Sequence, residues 1–406
     1  MTRTPQTKRR QFHVVIVGAG VAGLEAALAL RALAPRLVDV ELVSPEGHFF
    51  YRPLAVAEPF GVGRVHRWEL TDLARLAGAH FTPGDVRALD TEQAVAHLAG
   101  GGEIDYDAIV LACGARPEIA VAGASTFRGP ADVDRFRTLL DEVKAGGGGR
   151  LVFAVPSGIV WPLPLYELAL LTARELEREG VSTELTIVTS EPSPLALLGT
   201  RASEAVAALL AERGITVRAS TYVREFVAGS LETVPAGAIG ADHVVALSRL
   251  AGPAIEGIPQ DRNGFVPTDE HGRVPDTVGV YAAGDLTSFT IKQGGIAAQQ
   301  ADAVAESIAV AAGAPIEAKP FRPVLRVILL TGGRPTSMQV ELGGGRGETS
   351  AVSDDALWWP TGKIVGRHLA PFLAGLGLAD LRPDAEEDVL TLEIEAAALH
   401  ELAWRT

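Results

Sequence analysis

Gly18, Gly20 and Gly23 in the run VGAGVAG stand at the spacing needed to bring a backbone turn against a diphosphate. Gly18 permits a tight turn, Gly20 leaves room for phosphate to approach, and Gly23 lets the following helix lie close to a sheet. Behind them, Val21 and Ala22 open an apolar helix through AGLEAALALRALA. Its first N–H groups and the positive end of its dipole would face the anion. The bland alternative is a tight turn with no ligand. A dinucleotide site of this kind places an acid about 20 residues on, at the end of the next strand, to hold ribose hydroxyls. Here that place is Ser44, which offers one hydroxyl; Glu41 is expected to point elsewhere, and Glu46 lies past the strand end.

The other reactive residue types are sparse. There is one cysteine, Cys113, so no intrachain disulfide, CxxC pair or thiolate metal set can form. It reads either as a redox thiol or, more simply, as a small buried residue. His13, His48 and His368 have no ligand spacing, so no metal is expected. Asp354, Asp355 and the 386–388 acids read as solvated faces or caps.

The elements that must position these residues alternate. FHVVIV at 12–17 is a buried strand, and VDVELVS at 38–44 is the next, which makes a βαβ unit of roughly 30 residues. VRALD, AVAHL and DAIVLAC read as further strands. The four glycines at 146–149 precede a second strand–helix–strand run, LVFAV, LYELALLTARELEREG and ELTIVTS. SEAVAALLAERG and ITVRAS follow. VGVYAAGD and GGIAAQQADAVAESIAVAAG return to the first pattern, and VLRVILLTGG and SMQVELGG precede a Trp-rich, Pro-broken tail.

Length and charge bound the rest. At 406 residues, two or three domains are expected. The formal charge of -14 argues against nucleic acid and anionic membrane surfaces. No stretch of 18 uncharged apolar residues occurs, so no spanning helix is expected. The basic start MTRTPQTKRR leads into a strand rather than a signal-peptide core, so a cytoplasmic protein is expected.

Two later motifs, ACGARP at 112–117 and YAAGD at 281–285, join the first loop. Together the three resemble the pyridine nucleotide-disulfide oxidoreductase superfamily of flavoproteins over nearly the whole chain. The resemblance implies an α/β fold of two Rossmann-like, three-layer dinucleotide-binding domains plus a C-terminal α+β segment. The expected division is an FAD-binding domain of residues 11–125 and 265–317, a second nucleotide fold at 126–264, and a C-terminal interface or capping domain at 318–406. The cofactor implied is FAD. Gly284 and Asp285 would serve its ribitol and pyrophosphate, although Asp285 could instead cap a helix. Ala112, Cys113 and Gly114 would lie alongside it, and Asp85 and Val86 would present backbone to adenine.

HFFYRPL at 48–54, PLYE at 164–167, IKQGG at 291–295 and the tail WWPTGKIVGRHLAPFL look most like the branch holding sulfide:quinone reductase, flavocytochrome c sulfide dehydrogenase and type II NADH dehydrogenase. Arg52 and Pro53 fall in the first of these. In the third, the N–H groups of Gly294, Gly295 and Ile296 would face the flavin edge that becomes negative on reduction. Lys292 would add positive charge there, or be a solvated loop lysine.

The sequence departs from that branch twice. Where an NAD(P)H site needs a second Gly-rich loop, the chain has PSGIVWPLP. Pro156, Pro162 and Pro164 remove N–H groups, and Trp161 fills the approach. NAD(P)H is therefore not expected to bind in the usual way. One family cysteine position falls on Trp161, so sulfide capture by a cysteine pair is excluded. Glu167 is the candidate for proton handling, with a helix first-turn acid as the alternative. Trp161, Trp358 and Trp359 would line a cavity for a planar substrate, or simply pack an interface.

The functions these residues imply are three. One is an FAD-dependent oxidoreductase delivering electrons to a quinone-like or other planar acceptor. A second is an NAD(P)H-dependent flavin oxidoreductase with an unusual loop. The third is an FAD-holding redox subunit or sensor that works with a partner protein. The tail GKIVGRHLAPFLAGLGL, with Lys363, Arg367 and His368, could rest peripherally on the inner membrane face, against which the acidic stretch at 380–390 argues. Homodimerisation through the C-terminal segment is implied by resemblance.

Overall fold

The computed structural model describes residues 10–159, 161–341, 350–358 and 360–378. Residues 1–9, Trp359 and the acidic stretch at 380–390 lie outside them. The chain forms two compact units. The first takes residues 1–49, 67–116 and 251–322, and the second takes 50–66, 117–250 and 323 onward.

The first unit is built on a five-stranded parallel sheet in the order Val280–Ala282, Ala108–Leu111, Phe12–Val17, Val38–Ser44, His80–Pro83. Parallel sheets covered on both faces need continuous apolar strands. Val14, Val15 and Ile16 are fully buried, as are Ile109, Val110 and Leu111. The first strand is central, with its successors on one side and later strands on the other. That reversal leaves a crevice at the carboxyl ends of Phe12–Val17 and Ala108–Leu111. Helix Val21–Leu33 packs along helix Gly294–Ala311, and both turn runs of alanine towards the core. A three-stranded antiparallel sheet, Val86–Asp90, Val95–Leu98 and Glu103–Asp105, shares the core through Val86, Leu89 and Ala96.

The second unit repeats the plan. Its parallel sheet runs Ser125–Phe127, His243–Leu247, Gly149–Ala154, Thr183–Val188, Thr216–Arg218. Helix Leu163–Arg178 follows the central strand. Two antiparallel sheets complete this unit. One, Tyr222–Val227 with Ser230–Val234 and Gly237–Gly240, falls where no strand was expected from sequence. Its exposed strand reads as polar and lacks a clear alternation. The other joins Val324–Leu329, Thr336–Glu341 and Ser350–Ser353. The helical part of the tail is a short helix, Leu369–Gly375. Among the described residues no helix is long and apolar enough to cross a membrane.

Candidate cofactor site

In the first unit, three turns separated widely in sequence meet at the crevice. Gly18 has φ +101°, and a Cβ there would stand 2.5 Å from the Ala112 carbonyl and Cys113 Cα. Its N–H donates to Val43 O at 2.8 Å, and Ala112 N–H donates to Val17 O at 2.7 Å. The ACG segment therefore crosses directly against the first turn. A Cβ on Gly23 would lie 1.9 Å from Gly18 O, which is the close helix–sheet approach in numbers. Gly20, by contrast, has nothing within 4 Å of a built Cβ, nor does Gly114. The helix behind Gly20 has no side-chain cap, so its first-turn N–H groups face this open space. Backbone donors around a recess that a methyl would enter fit a diphosphate.

Gly284 supplies the third turn. At φ +87° its Cβ would stand 3.1 Å from Ala22 Cβ and 3.6 Å from Ala297 Cβ. Only glycine lets this turn sit between the starts of both helices. Gly284 N–H donates to Gln300 Oε1 at 2.7 Å, and Gln300 Nε2 donates to Thr287 Oγ1 at 3.2 Å. Thr287 Oγ1 donates back to Gly284 O at 2.9 Å. The sequence reading missed Gln300 and Thr287. Their signal was a Gln nearly two turns inside an alanine-rich helix. Asp285 is half-buried within this turn and caps no helix, since the next begins at Gly294.

The start of that helix differs from expectation in one detail. Gln293 is its N-cap, and its Oε1 accepts the Ile296 N–H at 2.9 Å. Ile296 N–H is thus already engaged, which leaves Gly294 and Gly295 as the donors. Lys292 is half-buried rather than solvated. Its Nζ donates to Thr287 O and sits 4.0 Å from the Phe265 ring centroid. Burial pulls its pKa down to about 8, against the opposing charges of Asp285 and Asp261.

The remaining expected contacts divide. Ser44 is buried at the strand end, and its Oγ accepts Glu46 N–H at 3.2 Å. Glu41 does point elsewhere, towards His13 at 3.2 Å and Thr82 Oγ1 at 2.6 Å. His48 pairs with Glu69 at 2.7 Å. Asp85 pairs with Arg87, its carbonyl takes Ala99 N–H at 2.7 Å, and Val86 is buried. Arg52 and Pro53 belong to the second unit, in the short helix Arg52–Leu54. Cys113 is exposed rather than buried, because the chain leaves the sheet before it and turns through positive φ at Gly114. Although the residue is exposed, protein crowds around its thiol. That enclosure pushes the thiol pKa up to about 12, its own backbone amide opposing and Asp85 adding to the effect. A thiol that stays protonated is a poor nucleophile.

In the second unit, Glu167 is a desolvated carboxyl rather than a first-turn acid. It is 1% exposed and lies beyond the first turn of its helix. Both carboxylate oxygens sit 2.6 Å from Lys363 Nζ, and Oε1 also accepts Leu330 N–H at 2.9 Å. Burial pushes its pKa up, opposed by Lys363 and the Leu330 N–H. Lys363, one of the charged residues interspersed in the tail, is 8% exposed because this pairing draws it inward. Trp161 is half-buried, and Trp358 donates from Nε1 to Gly362 O at 3.2 Å. Neither lines the apolar cavity of about 210 Å³ in this unit, whose walls include Tyr51, Thr361, Ile364, Leu369 and Leu373. The start of helix Leu163–Arg178 is poor in donors. Pro162 is its N-cap, Pro164 follows in the first turn, and Leu165 N–H is taken by Pro162 O at 2.9 Å.

Residues 12–301 match a family model described as pyridine nucleotide-disulphide oxidoreductase. The benzene 1,2-dioxygenase system ferredoxin–NAD(+) reductase subunit of Pseudomonas putida is 28% identical over 335 residues, 73% of this chain and 74% of that protein. The sulfide-quinone reductase of Aquifex aeolicus (strain VF5) is 27% identical over 188 residues, 44% of this chain and 43% of that protein. The X-ray structure of the sulfide:quinone oxidoreductase from the hyperthermophilic bacterium Aquifex aeolicus matches with a TM-score of 0.77 at 21% identity, covering 84% of this chain and 87% of that one.

Proposed function

The chain belongs to the pyridine nucleotide-disulphide oxidoreductase family, and from that premise we propose that it is an FAD-dependent oxidoreductase that passes electrons to a quinone-like or other planar acceptor. The observation that carries this reading is the meeting of the Gly18, Ala112–Cys113 and Gly284 turns around one recess at the uncapped start of helix Val21–Leu33. When bound, FAD supplies a carrier that accepts two electrons and releases them together or singly.

The chain's own residues hold and bias it. Gly18, Gly20, Val21, Ala22 and Gly23 form the cradle for the diphosphate. Ser44 and the Val86 backbone serve the adenosine end, and Ala112, Cys113 and Gly114 form a wall. Gly284 and Asp285 would hold the linker between the rings. Gly294 and Gly295 offer N–H groups, and Lys292 offers charge, to the edge that becomes negative on reduction. Trp161 and Trp358 remain candidates for an aromatic face. The apolar cavity behind Tyr51 supports an acceptor with little charge. Sulfide chemistry by a cysteine pair is ruled out by the single cysteine.

A second reading is favoured by the Pseudomonas putida relative, which is named for a ferredoxin. In it, this chain holds FAD and exchanges electrons with a small redox protein. The test is to purify the protein, release and identify its flavin, photoreduce it anaerobically and add acceptors. Reoxidation by a water-soluble quinone within a turnover time supports the first reading. Reoxidation by a ferredoxin alone moves the assignment to the second, and a colourless protein that takes up no FAD refutes both.

A further inference from the structure

The second unit carries a nucleotide-type sheet, yet its ligand-facing ends have been rebuilt. A helix start offers four N–H groups, those of the N-cap and the next three residues. At helix Val21–Leu33 these are Gly20, Val21, Ala22 and Gly23, and all four exist. At helix Leu163–Arg178 they are Pro162, Leu163, Pro164 and Leu165. The two prolines have no N–H, and Leu165 already donates to the Pro162 carbonyl. Leu163 alone remains. In the loop before it, Ile159 N–H is spent on Pro156 O at 3.3 Å.

The acid of this unit is also engaged. Glu191 lies three residues beyond strand Thr183–Val188 and is the first acid after the strand end near which a dinucleotide fold keeps the carboxylate that holds ribose hydroxyls. Its Oε2 accepts the Tyr166 hydroxyl at 2.8 Å and the Thr189 hydroxyl at 3.0 Å. Tyr166 is completely buried on the helix, so this bond ties the helix to the strand end. The Glu191 carbonyl takes Ser220 N–H at 2.8 Å, which fixes the next loop as well. A carboxylate that satisfies a buried tyrosine is an internal clamp. Drawing it towards a ribose would leave the buried Tyr166 hydroxyl without the carboxylate that accepts its proton.

We infer that the second unit accepts no dinucleotide pyrophosphate, that Glu191 with Tyr166 and Thr189 has become a positioning clamp, and that the electron donor of this flavoprotein is a molecule without a diphosphate. This rests on the FAD-dependent reading above and deepens it on the donor side. It departs from what the family's name and the ferredoxin–NAD(+) reductase relative would suggest. Both phosphate and sugar positions fail together, for unrelated reasons.

The test uses the full chain loaded with FAD. NADH and NADPH are titrated anaerobically, following the visible flavin band and, separately, nucleotide binding by saturation-transfer NMR. The expected result is no bleaching and no saturable binding, because losing three of four charge-assisted donors weakens a diphosphate complex by about a thousandfold or more. Saturable bleaching by either nucleotide at micromolar concentration overturns the inference. Pro162→Ala with Pro164→Ala restores two donors and should tighten NADH binding about tenfold or more. A folded variant that binds no better than the parent overturns the assigned cause. If the double variant does not fold, Pro164→Ala alone restores one donor within an existing helix and is held to the same comparison. In parallel, photoreduced protein is mixed with a quinone or a ferredoxin. A flavin blind to both nucleotides and unable to reduce either acceptor would refute the acceptor reading while supporting this inference.

Discussion

Replacing Lys363 by Met removes the partner of a carboxylate that has almost no access to water. Glu167 and Lys363 side chains are 1% and 6% exposed, and both oxygens of Glu167 lie 2.6 Å from Nζ. In the variant only the Leu330 N–H, at 2.9 Å, still favours the charged form. The folded protein then keeps Glu167 protonated. Holding a carboxyl with an ordinary pKa of about 4.3 neutral at pH 7 costs about 3.7 kcal/mol. That agrees with the roughly 3–5 kcal/mol typical of breaking a buried pair. The sign follows from a folded pKa raised above the unfolded one. Below about pH 4 both states are protonated and the penalty vanishes, and it grows by about 1.4 kcal/mol per pH unit as pH rises towards the folded value. The assay is thermal unfolding of the parent and the variant by circular dichroism between pH 5 and 8. A loss of about 10 °C at neutral pH is expected for a unit of this size. Glu167→Gln placed in the Lys363→Met background should recover most of it, since a neutral amide needs no cation. A variant within about 1 kcal/mol of the parent at every pH would refute the reasoning.

Four further outcomes are expected. Gly20→Ala meets no protein atom within 4 Å, so the apoprotein should melt like the parent while its FAD affinity, read by fluorescence quenching, falls at least tenfold. Gly23→Ala drives a methyl into Gly18 O, and the apoprotein itself should lose about 2 kcal/mol or more in a melting experiment. Lys292 has its pKa depressed to about 8, so the folded state binds fewer protons than the unfolded one between about pH 8 and 10.4. Stability should therefore rise with pH across that window, and Lys292→Met should abolish this part of the slope in apoprotein melting curves. Cys113, with its thiol held up to about 12, should react with iodoacetamide far more slowly than free cysteine at pH 8, and Cys113→Ser should leave electron transfer to the acceptor intact.

Features that depend on a few consecutive residues were legible without coordinates. Strand Phe12–Val17 follows from its apolar run, Val38–Ser44 from valines and a leucine alternating with Asp39 and Glu41, and the helix after Gly20 from its alanine-rich pattern. The Gly23 requirement is a steric consequence of one turn, so its spacing from Gly18 announces it, whereas the contact of Gly18 with Ala112 and Cys113 comes from a distant segment. The prolines at 156, 162 and 164 likewise remove N–H groups wherever the chain goes. The sheet at 222–240 escaped notice because a half-exposed antiparallel strand has a weak pattern.

Tertiary structure decided what those local pieces meet. Glu167 read as an acid poised for chemistry, yet its partner Lys363 lies 196 residues away and turns it into a buried ion pair. Gln293 and Gln300 became the cap and brace of the Gly294 and Gly284 turns, roles that no spacing in sequence declares. Cys113 looked buried by residue type and stands open to solvent, because Gly114 turns the chain away from its strand. Backbone sterics act between neighbours and are written in order along the chain. Burial and charge pairing depend on which distant groups the fold brings together, so sequence order does not specify them.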